Sequence, residues 1–478
     1  MATRRDLFQS YQFMVQRVIS GVVLRETDPV QSPLRKMSGS GFASVMIAVV
    51  ALAGAALIGI FFPSGNSTWQ EGGKVIVEEE TGATFVWLPN EENEQLLYPT
   101  VNFASAALLV GTTQYVNVSH KSLLEVPRGP RLGILDAPDS LPNPELMLQG
   151  GWTLCSLPAR ETDGGLVPST ALVVGRDITE GTQIEDKASL VEDVTLGTLH
   201  LIWNGHQFPI KIEHVNAVRE ALILQSTPSI NVGTAWLSAV PRGEFLQPSP
   251  VSGRGEVSRA ISDGIVGEIR KVEGGGRTQY YQVDATRIIE ITEVQARMLL
   301  ADDTIRDSVY RGRAPEPRPL SADEAQQADR VDLDPPAPTD PPANIPEVAE
   351  TANPNPTICA SFGDDEPTPR ISVDAAVEGA ENANATRQQT ESGTVLADRV
   401  LITPGHGAIV QGLPSDGADS GVRYLVTDEG RAYPLPSAEA QGFLGYGSIE
   451  PVRLPSSLIA RIPQGSALDP LEAQRPVA

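Results

Sequence analysis

Twenty-one consecutive residues carry no charge: Phe42 to Phe62, reading FASVMIAVVALAGAALIGIFF. At a helical rise of about 1.5 Å per residue this run spans roughly 30 Å, the thickness of a bilayer core. The hydrophobic region of a signal peptide is shorter, roughly 7–15 residues, and starts nearer the terminus. No A-x-A cleavage pattern follows; the next residues are Pro63-Ser64-Gly65-Asn66. A core helix of a globular domain rarely stays apolar on every face for so long. The run predicts an uncleaved transmembrane anchor over 42–62.

Flanking charge predicts its direction. The first 41 residues hold Arg4, Arg5, Arg17, Arg25, Arg35 and Lys36, whereas the 15 residues after Phe62 hold one lysine, Lys74. The positive-inside rule then places the N-terminus in the cytoplasm and 63–478 outside the membrane. The net charge of −24 excludes a nucleic-acid-binding surface and suits a solvated extracytoplasmic domain. The chain has two cysteines, Cys155 and Cys359, both beyond the anchor. An oxidising compartment favours one disulfide between them; two unrelated buried thiols are the alternative.

The arm of residues 1–41 predicts a helix from Asp6 to Glu26. Leu7, Tyr11, Met14, Val18 and Val22 recur at spacings of three and four, with Asp6 as a cap and Asp28-Pro29 as the stop. Such a helix has little to bury against alone, so it docks on a cytoplasmic partner or lies on the membrane face.

Beyond the anchor the sequence repeats itself. Val126-Pro127-Arg128-Gly129, Val240-Pro241-Arg242-Gly243 and Ile462-Pro463-Gln464-Gly465 are three versions of one phrase. A short apolar run precedes each, and Leu132, Leu246 or Leu468 follows. Upstream of each lies a strand-like run: Phe85–Leu88, Leu199–Trp203 or Tyr424–Val426. Asn204-Gly205 marks a hairpin. A partial unit begins at Tyr280-Tyr281-Gln282-Val283 and runs through Ile288–Ile291 into a helix from Thr292, without the Pro-x-Gly phrase.

The predicted fold class is α+β: one N-terminal transmembrane helix, then an elongated extracytoplasmic region of four small α/β repeats around a central β domain. The boundaries read 75–132 for repeat one, 133–195 with 357–402 for the central domain, 196–250 for repeat two, 255–305 for repeat three and 403–470 for repeat four. Residues 313–356 carry 11 prolines and many acids, which predicts a disordered or extended loop. Residues 375–393 read as a second loop.

Chemistry-bearing motifs are missing. No G-x-x-x-x-G-K-[ST] loop exists, and Gly274-Gly275-Gly276-Arg277-Thr278 reads as a hairpin turn. His120, His200, His206, His214 and His406 form no H-E-x-x-H pattern, and no G-x-S-x-G elbow occurs. Pro404-Gly405-His406-Gly407 reads as a tight turn after a strand rather than the lining of a site. No catalytic residue, cofactor ligand or metal ligand is assigned.

An ordered series of short motifs nevertheless runs along nearly the whole chain. It includes Pro33-Leu34-Arg35 before the anchor, Tyr98-Pro99-Thr100-Val101-Asn102-Phe103, Pro127-Arg128-Gly129-Pro130, Trp152-Thr153-Leu154-Cys155 and Pro356-Thr357-Ile358-Cys359. Pro404-Gly405-His406-Gly407, Tyr424-Leu425-Val426-Thr427-Asp428 and Leu444-Gly445-Tyr446-Gly447 complete it. In this order the motifs resemble the EccB family of type VII (ESX) secretion systems. One departure is Gln16-Arg17, where that family carries an arginine pair. The resemblance implies a structural subunit of an inner-membrane core, with four periplasmic repeats around a disulfide-bearing central domain. It implies assembly with an EccC-type FtsK-like ATPase, with EccD-type and EccE-type membrane subunits and with other copies of itself. ATPase activity has been ascribed to the family, but this chain holds no phosphate-binding loop. The competing readings are an extracytoplasmic ATP hydrolase and a membrane-anchored cell-wall-binding module.

Overall fold

Helix-forming sequence dominates the first 61 residues, and two long helices result. The computed structural model describes residues 3–23, 25, 33–61, 68–160, 164–176, 178, 181–380, 383, 385–415 and 417–477. The first helix, Arg4–Val23, starts two residues before the expected Asp6. Asp6 lies in its first turn, where its carboxylate accepts from the Thr3 N–H at 3.0 Å and the Thr3 hydroxyl at 2.6 Å. Leu7, Tyr11, Met14, Val18 and Val22 form an exposed apolar stripe along it. Glu26 and Asp28-Pro29 fall outside the described residues. The second helix, Pro33–Phe61, contains the window Gly39–Leu57, with a mean hydropathy of 2.1 and no buried share. Among the described residues it is the one helix long and apolar enough to cross a membrane. Phe42 lies within it and is exposed, as a lipid-facing side chain requires. Phe62 lies outside the described residues.

The chain packs as two compact units. One takes in these helices with 77–82 and 116–127; the other holds 72–76, 83–115 and the residues from Arg128 onward.

Within the second unit one plan recurs. Three antiparallel strands are followed by a helix, a fourth strand parallel to the first, a second helix, and a return segment along the third strand. The second repeat shows it in full. Its strands are Ser189–Asp193, Thr198–Trp203 and His206–Ile210, then helix Val215–Ala221, strand Ile230–Val232 and helix Thr234–Ala239. Ile230–Val232 runs parallel to Ser189–Asp193, and Arg242 and Leu246 return beside Gln207 and Ile210. The fourth repeat matches with Gly407–Leu413, Val422–Thr427, Ala432–Leu435 and Val452–Pro455. In the first repeat the hairpin Thr84–Pro89 with Gln95–Pro99 leads into helix Phe103–Val110, capped by the Asn102 side chain.

Two expectations need correction. The opening strand of the second repeat, Ser189–Asp193, lies inside the 133–195 range assigned to the central domain. It belongs to the second repeat because it pairs with Thr198–Trp203 and Ile230–Val232. Residues 313–356, expected as a disordered or extended loop, are extended only from 332 onward, and 318–331 belong to the third repeat. Arg318–Pro319 is a strand parallel to Ile269–Gly274, Ala322–Gln327 is a helix with a complete Ser321–Glu324 capping box, and Arg330–Val331 runs parallel to Ile288–Ile291. They supply the last strand, helix and return segment of the third repeat, which is complete. Buried charge fixes them there. Glu268, 3% exposed, pairs with Arg270 at 2.9 Å and with Arg318 at 2.8 Å. A buried carboxylate is stable only when its oxygens are matched in this way.

The remaining proline-rich stretch is extended and runs as a strap. Its Thr339 carbonyl accepts from the Glu244 N–H, Ala343 from Val294 and Glu347 from Ala188, and the Ala349 N–H returns to Ala188. The fixed φ of proline suits such extended chain.

The central sheet has six strands, in the order Arg399–Leu401, Leu166–Val174, Trp152–Arg160, Ile358–Phe362, Arg370–Val373 and Thr182–Gln183. One apolar core joins it to the second and fourth repeats, holding Trp152 and Leu154 from the sheet, Trp236 from the second repeat, and Val410 and Leu458 from the fourth. Trp236 donates its indole N–H to the Leu154 carbonyl at 3.1 Å.

Candidate functional site

The repeated Pro-x-Gly phrase closes each repeat on its third strand. The Gly129 N–H donates to the Leu97 carbonyl at 3.1 Å, Gly243 to Gln207 at 2.9 Å and Gly465 to Ala432 at 2.9 Å. In each case the next residue on the strand is aromatic: Tyr98, Phe208 or Tyr433. A Cβ on Gly129 would lie 2.3 Å from the Tyr98 ring, on Gly243 2.4 Å from Phe208, and on Gly465 2.3 Å from Tyr433. No real Cβ tolerates such a contact, so glycine is required by close approach. The leucine three residues on then returns to the strand. Leu132, Leu246 and Leu468 donate to the carbonyls of Pro99, Pro209 and Pro434.

The third repeat explains its own missing phrase. Asp329, Arg330 and Val331 stand in the same place, with the Ile288 N–H donating to the Asp329 carbonyl at 2.8 Å. Its third strand carries Ile289 where the others carry an aromatic, and Val331 pairs with it. Without a ring pressed on the turn, a side chain fits. The aromatic-proline pairs Tyr98-Pro99, Phe208-Pro209 and Tyr433-Pro434 recur at this place and mark the three closed repeats in the sequence.

Pro127, Pro241 and Pro463 begin the three closures. The Pro241 carbonyl accepts from the Gln207 N–H at 2.8 Å and the Pro463 carbonyl from Ala432 at 2.9 Å. These residues are structural clamps.

Cys155 and Cys359 sit directly opposite each other on the paired strands Trp152–Arg160 and Ile358–Phe362 and are joined as a disulfide across 204 residues of sequence. Both are fully buried, with Leu157, Ile178, Ala375 and Val377 packed around them.

The histidines are scattered. His120 meets the buried Glu78 carboxylate at 2.6 Å in the first compact unit. His200 sits on the second strand of the second repeat, where burial pushes its imidazole down to about 4 against the pull of Asp193. His406 occupies a tight turn, its backbone N–H donating to the Thr403 carbonyl at 3.0 Å, and the same turn is held by the Gly405 N–H on the Asp428 carboxylate. Gly274 pairs with Arg277, so the glycine run there is a hairpin turn. Among the described residues, no three His, Cys, Asp or Glu side chains group to hold a metal ion.

The fourth repeat is tied to the segment after the first repeat and to the second repeat. Arg431 pairs in fork geometry with Asp136 at 2.7 and 2.8 Å, and the Tyr446 hydroxyl, whose pKa burial raises, donates to the Pro142 carbonyl at 2.8 Å. The Ser457 hydroxyl of the fourth repeat donates to Ala239 of the second.

An apolar membrane-length helix and tandem interlocked sheets define a membrane-tethered repeat protein. A family model described as type VII secretion system ESX-1, transport TM domain B, matches residues 1–476, and the chain belongs to that family. It is 26% identical over 489 residues to the ESX-3 secretion system ATPase EccB3 of Mycolicibacterium smegmatis, covering 97% of this chain and 89% of that relative. Its fold is similar to a chain of an intact ESX-5 inner membrane complex, with a TM-score of 0.60, 22% identity and coverage of 100% of this chain and 96% of that one. It is also similar to the EccB3 dimer from the ESX-3 core complex, with a TM-score of 0.60, 24% identity and coverage of 85% and 100%.

Proposed function

We propose that this protein is a structural subunit of the inner-membrane core of a type VII secretion machine, with its N-terminal arm in the cytoplasm and its repeats on the far side of the membrane. The observation that carries this reading is that one family match, over 1–476, takes in both the apolar helix and all the repeats. The asymmetry of Arg4, Arg5, Arg17, Arg25, Arg35 and Lys36 before the helix against Lys74 after it supports the orientation. The buried disulfide supports an oxidising surrounding for the repeats. The clamps and shared core suit a part that transmits force and holds position. Its partners are an EccC-type FtsK-like ATPase, EccD-type and EccE-type membrane subunits, and further copies of this chain.

The test is gentle detergent extraction of native membranes through a C-terminal tag, followed by sizing and mass spectrometry of what co-purifies. A large complex with an FtsK-like ATPase and multi-pass subunits is the expected result. A lone monomer or homodimer across several detergents overturns it. The word ATPase in the names of relatives motivates a second reading, hydrolysis by the repeat region itself. That reading requires saturable ATP turnover by the purified chain, free of any P-loop partner.

A further inference from the structure

A cleft of about 420 Å³ opens where four parts of the larger compact unit meet. Its walls come from the closure of the second repeat, the hairpin loop of the central sheet at 365–368, the first loop and last strand of the fourth repeat, and the strap at Pro338 and Thr339. Its volume falls within the usual range for small-ligand sites, roughly 300–1,000 Å³.

The lining is unusual in three ways. Five proline rings form the apolar surface: Pro241, Pro338, Pro367, Pro414 and Pro455. Two guanidinium groups, Arg242 and Arg453, face the same space as two carboxylates, Asp365 and Glu366. Two polar atoms in the wall have capacity to spare. Arg453 Nε is buried without a hydrogen bond among the described residues, although Asp365 lies 3.4 Å away. His206 is 6% exposed and its Nδ1 lies 3.0 Å from the Asn204 carbonyl. That contact assigns the proton to Nδ1 and leaves Nε2 as an acceptor.

We propose that this cleft binds a short peptide with free ends. A polyanion such as a nucleotide phosphate chain would meet two carboxylates, and a simple cation would meet two guanidiniums. A zwitterionic amide chain matches both. Its terminal carboxylate pairs with Arg242, which is held by stacking 4.8 Å over the Phe245 ring. Its ammonium pairs with the exposed Glu366, and one of its amide N–H groups donates to His206 Nε2. Small side chains then lie against the proline rings. Two sources offer this chemistry, short oligopeptides cut from protein and free peptide fragments released from a cell wall. The inference stands apart from the scaffold reading, since a subunit of the machine and a lone anchor could each carry such a site.

The experiment is calorimetric titration of the full-length protein in detergent with L-Ala-L-Ala-L-Ala, with its C-terminally amidated and N-acetylated forms, and with a tripeptide ending in D-Ala-D-Ala. At least one free-ended tripeptide is expected to bind saturably. Amidation and Arg242→Gln each weaken it tenfold or more, and acetylation and Glu366→Gln do the same. Tighter binding of the D-Ala form assigns the cell-wall source, and of the L form a peptide cut from protein. Glu366 is exposed, its carboxylate beside Gly363 of its own turn, so Glu366→Gln shifts the melting temperature little and decides the matter even where Arg242→Gln disturbs the closure. No saturable binding of either free-ended tripeptide, or binding that capping and Glu366→Gln leave unaltered, overturns the proposal.

Discussion

The ring of Tyr433 occupies the space that a side chain on Gly465 would need: a Cβ there would lie 2.3 Å from it. The same relationship joins Tyr98 to Gly129 and Phe208 to Gly243, so a single packing rule closes three of the four repeats.

Gly465→Ala is therefore expected to destabilise the fourth repeat by about 1–3 kcal/mol through overpacking. Val331→Ala in the third repeat, where no ring presses on the turn, trades a half-exposed side chain for a smaller one and costs less. Thermal unfolding of the two variants checks the difference. Equal melting temperatures would remove the close-approach argument.

Breaking the Cys155–Cys359 bond releases a constraint over 204 residues. Loss of a native disulfide typically costs about 2–5 kcal/mol, and the loop-entropy account places long closures near the top of that range. The double variant Cys155→Ala with Cys359→Ala should unfold at clearly lower denaturant. The sulfurs are fully buried, so reductant alone should act slowly on the folded protein.

Glu268 neutralises two guanidiniums, and Glu268→Ala leaves Arg270 buried without its carboxylate. Removing one partner of a buried pair costs roughly 3–5 kcal/mol. The expected result is faster amide hydrogen exchange confined to 318–331 and the strand Ile269–Gly274, read by mass spectrometry. Uniform exchange across the chain would contradict the local account.

His200 gives a pH dependence with a defined sign. Its folded pKa is lowered to about 4 from 6.5, so the unfolded chain binds the proton more tightly. The stability it contributes is fully present above 6.5 and is lost as pH falls toward 4. Each unit of pKa difference corresponds to about 1.4 kcal/mol. His200→Gln should flatten the decline in melting temperature between pH 6.5 and 4 relative to the parent chain. An unchanged slope would assign that decline to carboxylates elsewhere.

Much of this architecture was legible in the residues. The anchor follows from an uninterrupted apolar count, because a helix spans a bilayer by length alone. The hairpin at Asn204-Gly205 and the turn at Gly274–Arg277 follow from backbone freedom that few residues provide. The Pro-x-Gly phrases marked three repeats because each closure needs the same glycine.

What the sequence withheld was non-local. Residues 318–331 read as proline-rich loop because two-residue strands carry no periodicity of their own. Arg318–Pro319 and Arg330–Val331 are strands only because Glu268 and the edges of Ile269–Gly274 and Ile288–Ile291 pair with them. Ser189–Asp193 was hidden for a similar reason.

The sequence by itself determined the membrane-length helix and the repeat count, since each depends on residues close together. Tertiary structure alone decided that Cys155 faces Cys359 on neighbouring strands, that the third repeat is finished by its own proline-rich tail, and that His206, Arg242, Glu366 and Arg453 line one cleft. Those placements depend on strand pairing and burial between segments tens to hundreds of residues apart, and chain-local preference carries no information about which distant edge a segment will meet.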